Sequence, residues 1–316
     1  MSAYPPADKP TMYFIGVTTA KSSINRIFPL WAQALGLGDC QLRGIDFKLH
    51  DTAENYRAAV DFIKNDPFSR GALVTTHKLD LCAACRDQFD EIDAFSDALG
   101  EVSSIYKRDG RILGRAVDPF SSGLALEAFL PADYWIKNPE AEVLILGAGG
   151  SAVALAWHLV QERHGANKPR RIHVANRSTP RLHHLRQVHA GWHTPVELLI
   201  HHVPQAEMSD ALVAKLPPGS LIVNGTGLGK DAPGSPLTDA VVFPERAYVW
   251  EFNYRGNLVF LDQARAQEKS RSLFVEDGWI YFIHGWTRVI ADVFDAEIPP
   301  RGPVFDRLSE IAKEAR

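Results

Sequence analysis

Apolar residues along the first third of the chain follow two spacings in turn. Apolar runs at 12–17 (MYFIGV) and 71–77 (GALVTTH) predict strands, the first of them buried, and 40–49 (CQLRGIDFKL) is the strand candidate between them. Each is followed by a stretch whose apolar positions recur at helical spacing, at 24–38, 55–66 and 79–92 (LDLCAACRDQFDEI). Strand and helix in alternation argue for parallel sheet with crossover helices. The pattern then breaks. Residues 103–118 (SSIYKRDGRILGRAVD) read as two short strands around Asp109-Gly110, a favoured hairpin pair. A helix follows at 121–130, and the polar, proline-bearing 131–142 reads as a linker.

From Glu142 the alternation restarts. EVLILG, RRIHVAN, VELLIHHV, SLIVNGT and YVWEFNY are strand candidates; 151–165 and 178–190 are the helices between the first three, a pattern like a mononucleotide-binding half sheet. Residues 278–294 are apolar at helical spacing, and 306–316 read as a charged surface helix. The fold class is therefore α/β, and 316 residues with 46% hydrophobic content suggest two domains.

Charge and cysteine content narrow the chemistry. With 34 basic against 38 acidic residues the chain presents no global field for nucleic acid or an anionic membrane. No apolar run approaches the roughly 20 residues of a membrane helix, and Met1 to Thr11 is unlike a secretory signal. Cys40, Cys82 and Cys85 are too few for a disulfide framework and agree with a reducing compartment. The expectation is a cytoplasmic protein acting on a small molecule, without nucleic-acid or membrane partners. Cys82-x-x-Cys85 lacks a second pair to complete a zinc site, and the doublets His183-His184 and His201-His202 point their rings apart, so no metal is expected.

Gly147-Ala148-Gly149-Gly150-Ser151-Ala152 follows a strand directly and opens a helix, the context of a dinucleotide fingerprint. Gly147 would make the tight turn, Gly149 would let backbone N–H groups approach a pyrophosphate, and Ala152 would allow close helix packing. The helix N-terminus adds a positive dipole end. An NAD site commonly ends its second strand with a carboxylate, whereas this chain has Asn176-Arg177-Ser178 with Arg181 close behind. Guanidinium groups bind a 2′-phosphate that a carboxylate would repel, which points to NADP. Lys78, beside a strand end, can shuttle a proton, and Asp118 either takes part in the chemistry or caps a helix.

In order, IGVTTAKSS, GALVTTHK, ALGEVSS, GRAVD, LGAGGSA, NRSTPR, VNGTGLGK and the late DGW resemble the shikimate dehydrogenase family from about Ile15 to Trp286. The resemblance implies an N-terminal α/β substrate domain (12–125), a Rossmann NADP domain (126–275), and C-terminal helices (276–316) returning to the first domain. It makes Lys78 and Asp118 the pair against the reacting hydroxyl, and places Thr226, Gly227 and Leu228 beside the nicotinamide ring.

Departures from the family pattern fall on the substrate side. The carboxylate-binding Ser-x-Ser is Ser22-Ser23-Ile24, an Asn-Thr is Ser103-Ser104, and another Asn-Thr is Ala116-Val117. Phe252 falls at a usual tyrosine and Gly285 at a usual glutamine. Ser22, Ser23, Thr75, Ser103 and Phe252 are then the expected substrate contacts. The implied activity is an NADP-dependent alcohol oxidoreductase for a shikimate- or quinate-related compound, working as a monomer or homodimer. A nucleotide or metabolite sensor without turnover is the alternative of a different class, and an NAD enzyme for quinate a third; Asn176-Arg177 speaks against the last.

Overall fold

The computed structural model describes residues 4–230 and 232–316. The first three residues of the N-terminal stretch considered above lie outside the described residues. The chain divides into two compact units, 1–117 with 283–316, and 118–282.

In the first unit β1 (Thr11–Gly16) leads to α1 (Ile24–Leu35), β2 (Gln41–Asp46), α2 (Ala53–Asn65), β3 (Ser69–Val74), α3 (Lys78–Cys85), β4 (Glu91–Ile92), α4 (Ala94–Leu99), β5 (Ser104–Arg108) and β6 (Arg111–Arg115). The sheet runs β2-β1-β3-β5-β6-β4. Its first three strands are parallel, and β5 and β6 form the antiparallel hairpin expected around Asp109-Gly110, both of which have positive φ (51° and 75°). Two of the three expected strands are buried: every residue of β1 is inside, and Ile15, Ala72 and Val74 share a core with Tyr56, Val60 and Ile63 of α2, whereas in β2, at the edge of the sheet, Ile45 alone is buried. The helix expected over 79–92 stops at Cys85, becomes a short 3-10 turn at 86–88 and yields to β4, whose backbone pairs with β6. Asp93 starts the next helix by accepting the Ser96 N–H at 2.8 Å.

The second unit begins with α5 (Asp118–Phe129) and α6 (Tyr134–Lys137), followed by β7 (Val143–Leu146), α7 (Gly150–Val160), β8 (Arg171–Asn176), α8 (Thr179–Ala190), β9 (Glu197–His202), α9 (Ala206–Val213), β10 (Leu221–Asn224), β11 (Tyr248–Glu251), α10 (Val259–Arg265), α11 (Glu268–Arg271) and β12 (Phe274–Glu276). All six strands are parallel in the order β12-β11-β10-β7-β8-β9. This is the doubly wound order of dinucleotide-binding domains, with its switch point between β7 and β10. The stretch 131–142 is not a free linker, because Tyr134 and Trp135 are buried and the Tyr134 hydroxyl donates to the Gly219 carbonyl.

Two more helices complete the chain, α12 (Trp279–Phe294) and α13 (Pro303–Glu314). Within the first unit Trp31 Nε1–H donates to the Leu308 carbonyl (2.8 Å), and buried Asp292 accepts from Arg115 (2.8 Å) and from the Ser104 hydroxyl (3.2 Å), so the C-terminal segment is tied to that unit's α1 and sheet. The unit boundaries fall at 117/118 and 282/283. The boundaries expected from the sequence, 125/126 and 275/276, fall within α5 and β12, eight and seven residues from these, and the second unit boundary itself falls within α12.

Candidate active site

In the first unit the candidate residues gather where β1 and β3 end. Thr75 follows β3: its N–H donates to the Ile15 carbonyl (2.9 Å) and its hydroxyl to the same oxygen (3.2 Å). A Cβ on Gly16 would meet Thr75 Oγ1 at 3.0 Å and Thr19 Cγ2 at 3.1 Å, so glycine here allows the two threonines to close over the strand end. Lys78, half-buried, opens α3; its N–H donates to the Thr75 carbonyl (3.1 Å) and its carbonyl accepts from Val102 (3.2 Å). Ser103 stands beside the end of β3, where the Val74 N–H donates to its carbonyl (2.9 Å).

The serines differ in how their hydroxyls are used. Ser103 is 1% exposed, and its Oγ accepts the Val117 N–H at 2.8 Å, so this side chain braces the chain leading to Asp118. Ser22 is buried and its Oγ accepts from the Ile24 N–H at 3.4 Å; Ser23 is the N-cap of α1. Ile24, at the position of the family's second serine, is wholly buried, as are Ala116 and Val117. Gly285 faces open space.

Sequence reasoning missed His77. It is 1% exposed and its Nε2 lies 3.2 Å from the Gly16 carbonyl, which can only accept, so Nε2–H donates and Nδ1 accepts the Tyr56 hydroxyl at 3.0 Å. The ring thus pins the ends of β1 and β3 together next to Lys78.

In the second unit Asp118 is the first residue of α5, 5% exposed, and its Oδ2 accepts from the Ser151 hydroxyl at 2.9 Å. Ser151 stands in the first turn of α7, so the candidate aspartate and the glycine loop are joined directly. Gly147 N–H donates to the Ala175 carbonyl (2.7 Å), and Gly225 N–H to the Leu146 carbonyl (2.7 Å), which closes the loop after β7 against the turn after β10. Ala148 and Ala152 are buried in the packing, whereas a Cβ on Gly149, the N-cap of α7, would meet nothing within 4 Å.

The open space at Gly149 and the positive dipole end of an 11-residue helix without a side-chain cap fit a pyrophosphate. At the end of β8 Asn176 Nδ2 donates to the Ser178 carbonyl (2.9 Å) and to its hydroxyl (3.1 Å), fixing the loop that presents exposed Arg177. Arg181 is half-buried in the first turn of α8. His201 and His202 diverge as expected: His201 Nε2 lies 3.0 Å from His173 Nδ1, and His202 Nε2–H donates to the Arg177 carbonyl (3.1 Å).

Thr226, Gly227 and Leu228 form a half-buried turn at the end of β10. Its scaffold is a network absent from the sequence reading: buried Asn224 and Asn253 and the carboxyl of Glu251, which burial pushes up to about 7. Phe252 is 9% exposed and packs between Trp250 and Tyr281; the hydroxyl-bearing ring at this strand end is Tyr254, against Trp279 and Phe282. Cys82 and Cys85 are buried, and burial pushes both thiols up to about 12. Among the described residues no group of His, Cys, Asp and Glu has the arrangement of a metal site, and no helix is long and apolar enough to cross a membrane.

No protein-family model matches the chain. Among curated proteins it is 30% identical over 168 residues to a shikimate dehydrogenase (NADP(+)) of Symbiobacterium thermophilum, covering 52% of each chain. It is 27% identical over 302 residues to one of Sphingopyxis alaskensis, covering 94% of this chain and 95% of the relative. The match thus spans about half the length of the first relative and nearly all of the second. Among solved structures, shikimate 5-dehydrogenase of Thermus thermophilus in complex with NADP(H) and shikimate superposes with a TM-score of 0.68 at 21% identity, covering 97% of this chain and 99% of that one. Quinate dehydrogenase of Corynebacterium glutamicum in complex with NAD also gives 0.68 at 21% identity, covering 98% and 100%. The motif resemblance is therefore matched by homologous sequence and by a shared two-domain α/β fold.

Proposed function

We propose that the protein is an NADP-dependent oxidoreductase that moves a hydride between the cofactor and a hydroxyl-bearing carbon of a small shikimate- or quinate-related compound. The observation that carries this reading is the glycine loop at the switch point of a doubly wound sheet, with Arg177 and Arg181 where an NAD site holds a carboxylate. The curated relatives are named for NADP(+) as well.

NADP, when bound, supplies the hydride acceptor or donor. The N-terminus of α7 would hold the pyrophosphate in the space left by Gly149, and Arg177, Ser178 and Arg181, with Asn176 shaping the loop, would take the 2′-phosphate. Thr226, Gly227 and Leu228 would border the nicotinamide. In the oxidising direction the substrate loses a hydride from carbon and a proton from oxygen, so that its C–O bond becomes a C=O bond. Lys78 Nζ takes that proton, and Asp118, itself held by Ser151, orients the hydroxyl through a hydrogen bond. Ser22, Ser23, Thr75, Ser103 and Phe252 belong to the substrate side. Apolar Ile24, Ala116 and Val117 in place of hydroxyl and amide groups move preference away from shikimate itself, since a site built to hydrogen-bond a hydroxyl discriminates by about 10⁴-fold against a ligand that lacks it. The setting is the cytoplasm, as a monomer or homodimer, with no nucleic-acid partner.

Initial rates at the reduced-nicotinamide absorbance, with shikimate, quinate and related ring hydroxy acids and with NADP or NAD, test the proposal. Turnover with NADP at least about tenfold more efficient than with NAD, a difference of roughly 1.4 kcal/mol, is the expected result. Tight NADP binding without turnover of any ring acid would replace the enzyme with a sensor.

A further inference from the structure

Glu251 ends β11 with no exposed surface. Its Oε2 accepts from Asn224 Nδ2 at 2.6 Å, and its Oε1 accepts from the Asn253 N–H at 2.8 Å and from Asn253 Nδ2 at 2.7 Å. Asn224 in turn receives the Thr226 N–H (3.1 Å) and hydroxyl (2.7 Å) on Oδ1, and Asn253 Nδ2 reaches the Leu228 carbonyl at 3.4 Å. The Thr226 hydroxyl oxygen accepts the Leu228 N–H at 3.1 Å.

The polarity of this network is fixed by its backbone members. The N–H of Thr226 can only donate, so Asn224 turns its oxygen to the turn and its amide to Glu251. The N–H of Asn253 can only donate as well. These contacts present donors to the carboxyl, a set that a carboxylate satisfies and a protonated carboxyl does not, because its O–H would face an N–H.

We propose that Glu251 is a positioning residue whose carboxylate, acting through Asn224 and Asn253, fixes the Thr226–Leu228 turn and with it the nicotinamide end of the cofactor, and that taking up a proton releases that turn. The inference rests on the functional reading above for what lies along the turn. Burial works against the carboxylate and the three hydrogen bonds favour it, together with the positive charge of Lys230, which among the described residues acts on it from beyond the turn. The balance leaves the group titrating near neutrality, where a cell's pH can reach it.

The test uses the full chain and NADPH. Fluorescence of the bound reduced nicotinamide reports how firmly the ring is held, and equilibrium dialysis reports affinity. Glu251→Gln puts an amide against the donors; it should lose at least about half the fluorescence enhancement and about tenfold in kcat, while NADPH affinity, set by the phosphates, changes by less than about threefold. The wild type should lose the same enhancement reversibly as pH falls below about 7, and Glu251→Gln should show no such titration. Thr226→Val, which keeps side-chain shape and leaves Asn224 and Glu251 paired, covers the case in which Glu251→Gln fails to fold, and should show the same drop in enhancement. Enhancement and pH profile unchanged in both variants would overturn the proposal. Absence of NADPH binding by the wild type would instead overturn the cofactor reading, and this inference with it.

Discussion

Alanine at Gly147 and alanine at Gly149 separate the packing role of the glycine loop from its binding role. Gly147 has φ of +105°, and a Cβ there would lie 2.7 Å from the Gly225 carbonyl oxygen, 2.8 Å from its carbon and 3.0 Å from the Thr226 nitrogen. All three are backbone atoms, and Gly225 cannot retreat without stretching its 2.7 Å bond to the Leu146 carbonyl. Backbone strain at such a φ costs about 1–3 kcal/mol and forced overpacking about 1–3 kcal/mol more. Since about 1 kcal/mol moves the melting temperature of a 150–250-residue unit by roughly 2–4 °C, Gly147→Ala should lower Tm by about 5–20 °C and weaken NADP binding. Gly149 has φ of −80° and its Cβ would enter open space, so Gly149→Ala should cost only about 1 kcal/mol as a poorer N-cap. Its methyl would occupy the pyrophosphate's space, and NADP affinity should fall at least about tenfold, roughly 1.4 kcal/mol. Thermal melts and NADP titrations of both variants check this. A Gly147→Ala protein as stable as the parent would refute the clash, and undiminished NADP affinity in Gly149→Ala would refute the cradle.

Further outcomes follow from other contacts. Ser151→Ala removes the hydroxyl donor to buried Asp118, a charge-assisted bond worth about 1.5–3 kcal/mol, so Tm should fall by about 3–12 °C and kcat about tenfold or more; unchanged kcat would detach Asp118 from the chemistry. His158 is 2% exposed, and burial, with the charges of His164 and Arg163, pushes it down to about 3. The unfolded chain binds a proton below about pH 6.5 that the folded chain refuses, so the stability this histidine contributes is whole above pH 6.5 and is lost as pH falls towards 3. Melts between pH 7 and 5 should show a shallower decline for His158→Gln than for the wild type. Cys82 and Cys85, with thiols pushed up to about 12, should resist a maleimide in the native protein at pH 8 and react on unfolding.

Much of the fold was legible because burial leaves solid apolar runs in parallel strands, as in MYFIGV and EVLIL, and because Asp109-Gly110 names its own hairpin. The misses have physical causes. Two-residue β4 is shorter than any periodicity, and its backbone pairing with β6 decides it. In 131–142 polar neighbours hide Tyr134, held by β11 and the Gly219 carbonyl, and Trp135, which packs edge-on against Tyr134. Of the candidate site, the glycine loop and the residues after β8 could be read directly, since motif and strand context coincide. The network behind Thr226 could not, although LIVN and VWE carried a faint signal: each buried strand ends on a polar residue, Asn224 and Glu251, at the carboxyl ends of the strands, where ligands bind in such sheets. His77 was hidden likewise, since only the tertiary fold brings it to Gly16 and Tyr56. Nor did spacing show that Ser103 would brace Val117.

The central claim is NADP-linked oxidation of a ring hydroxyl with Lys78 as the proton acceptor. The measurement that tests it most directly is the initial rate of NADP reduction with the best ring hydroxy acid, for the wild type and for Lys78→Ala at equal NADP saturation. The account predicts turnover in the wild type and a loss of at least about 10²-fold in kcat for the variant, the size of general acid–base catalysis, with NADP affinity retained. Equal rates in the two proteins would contradict it.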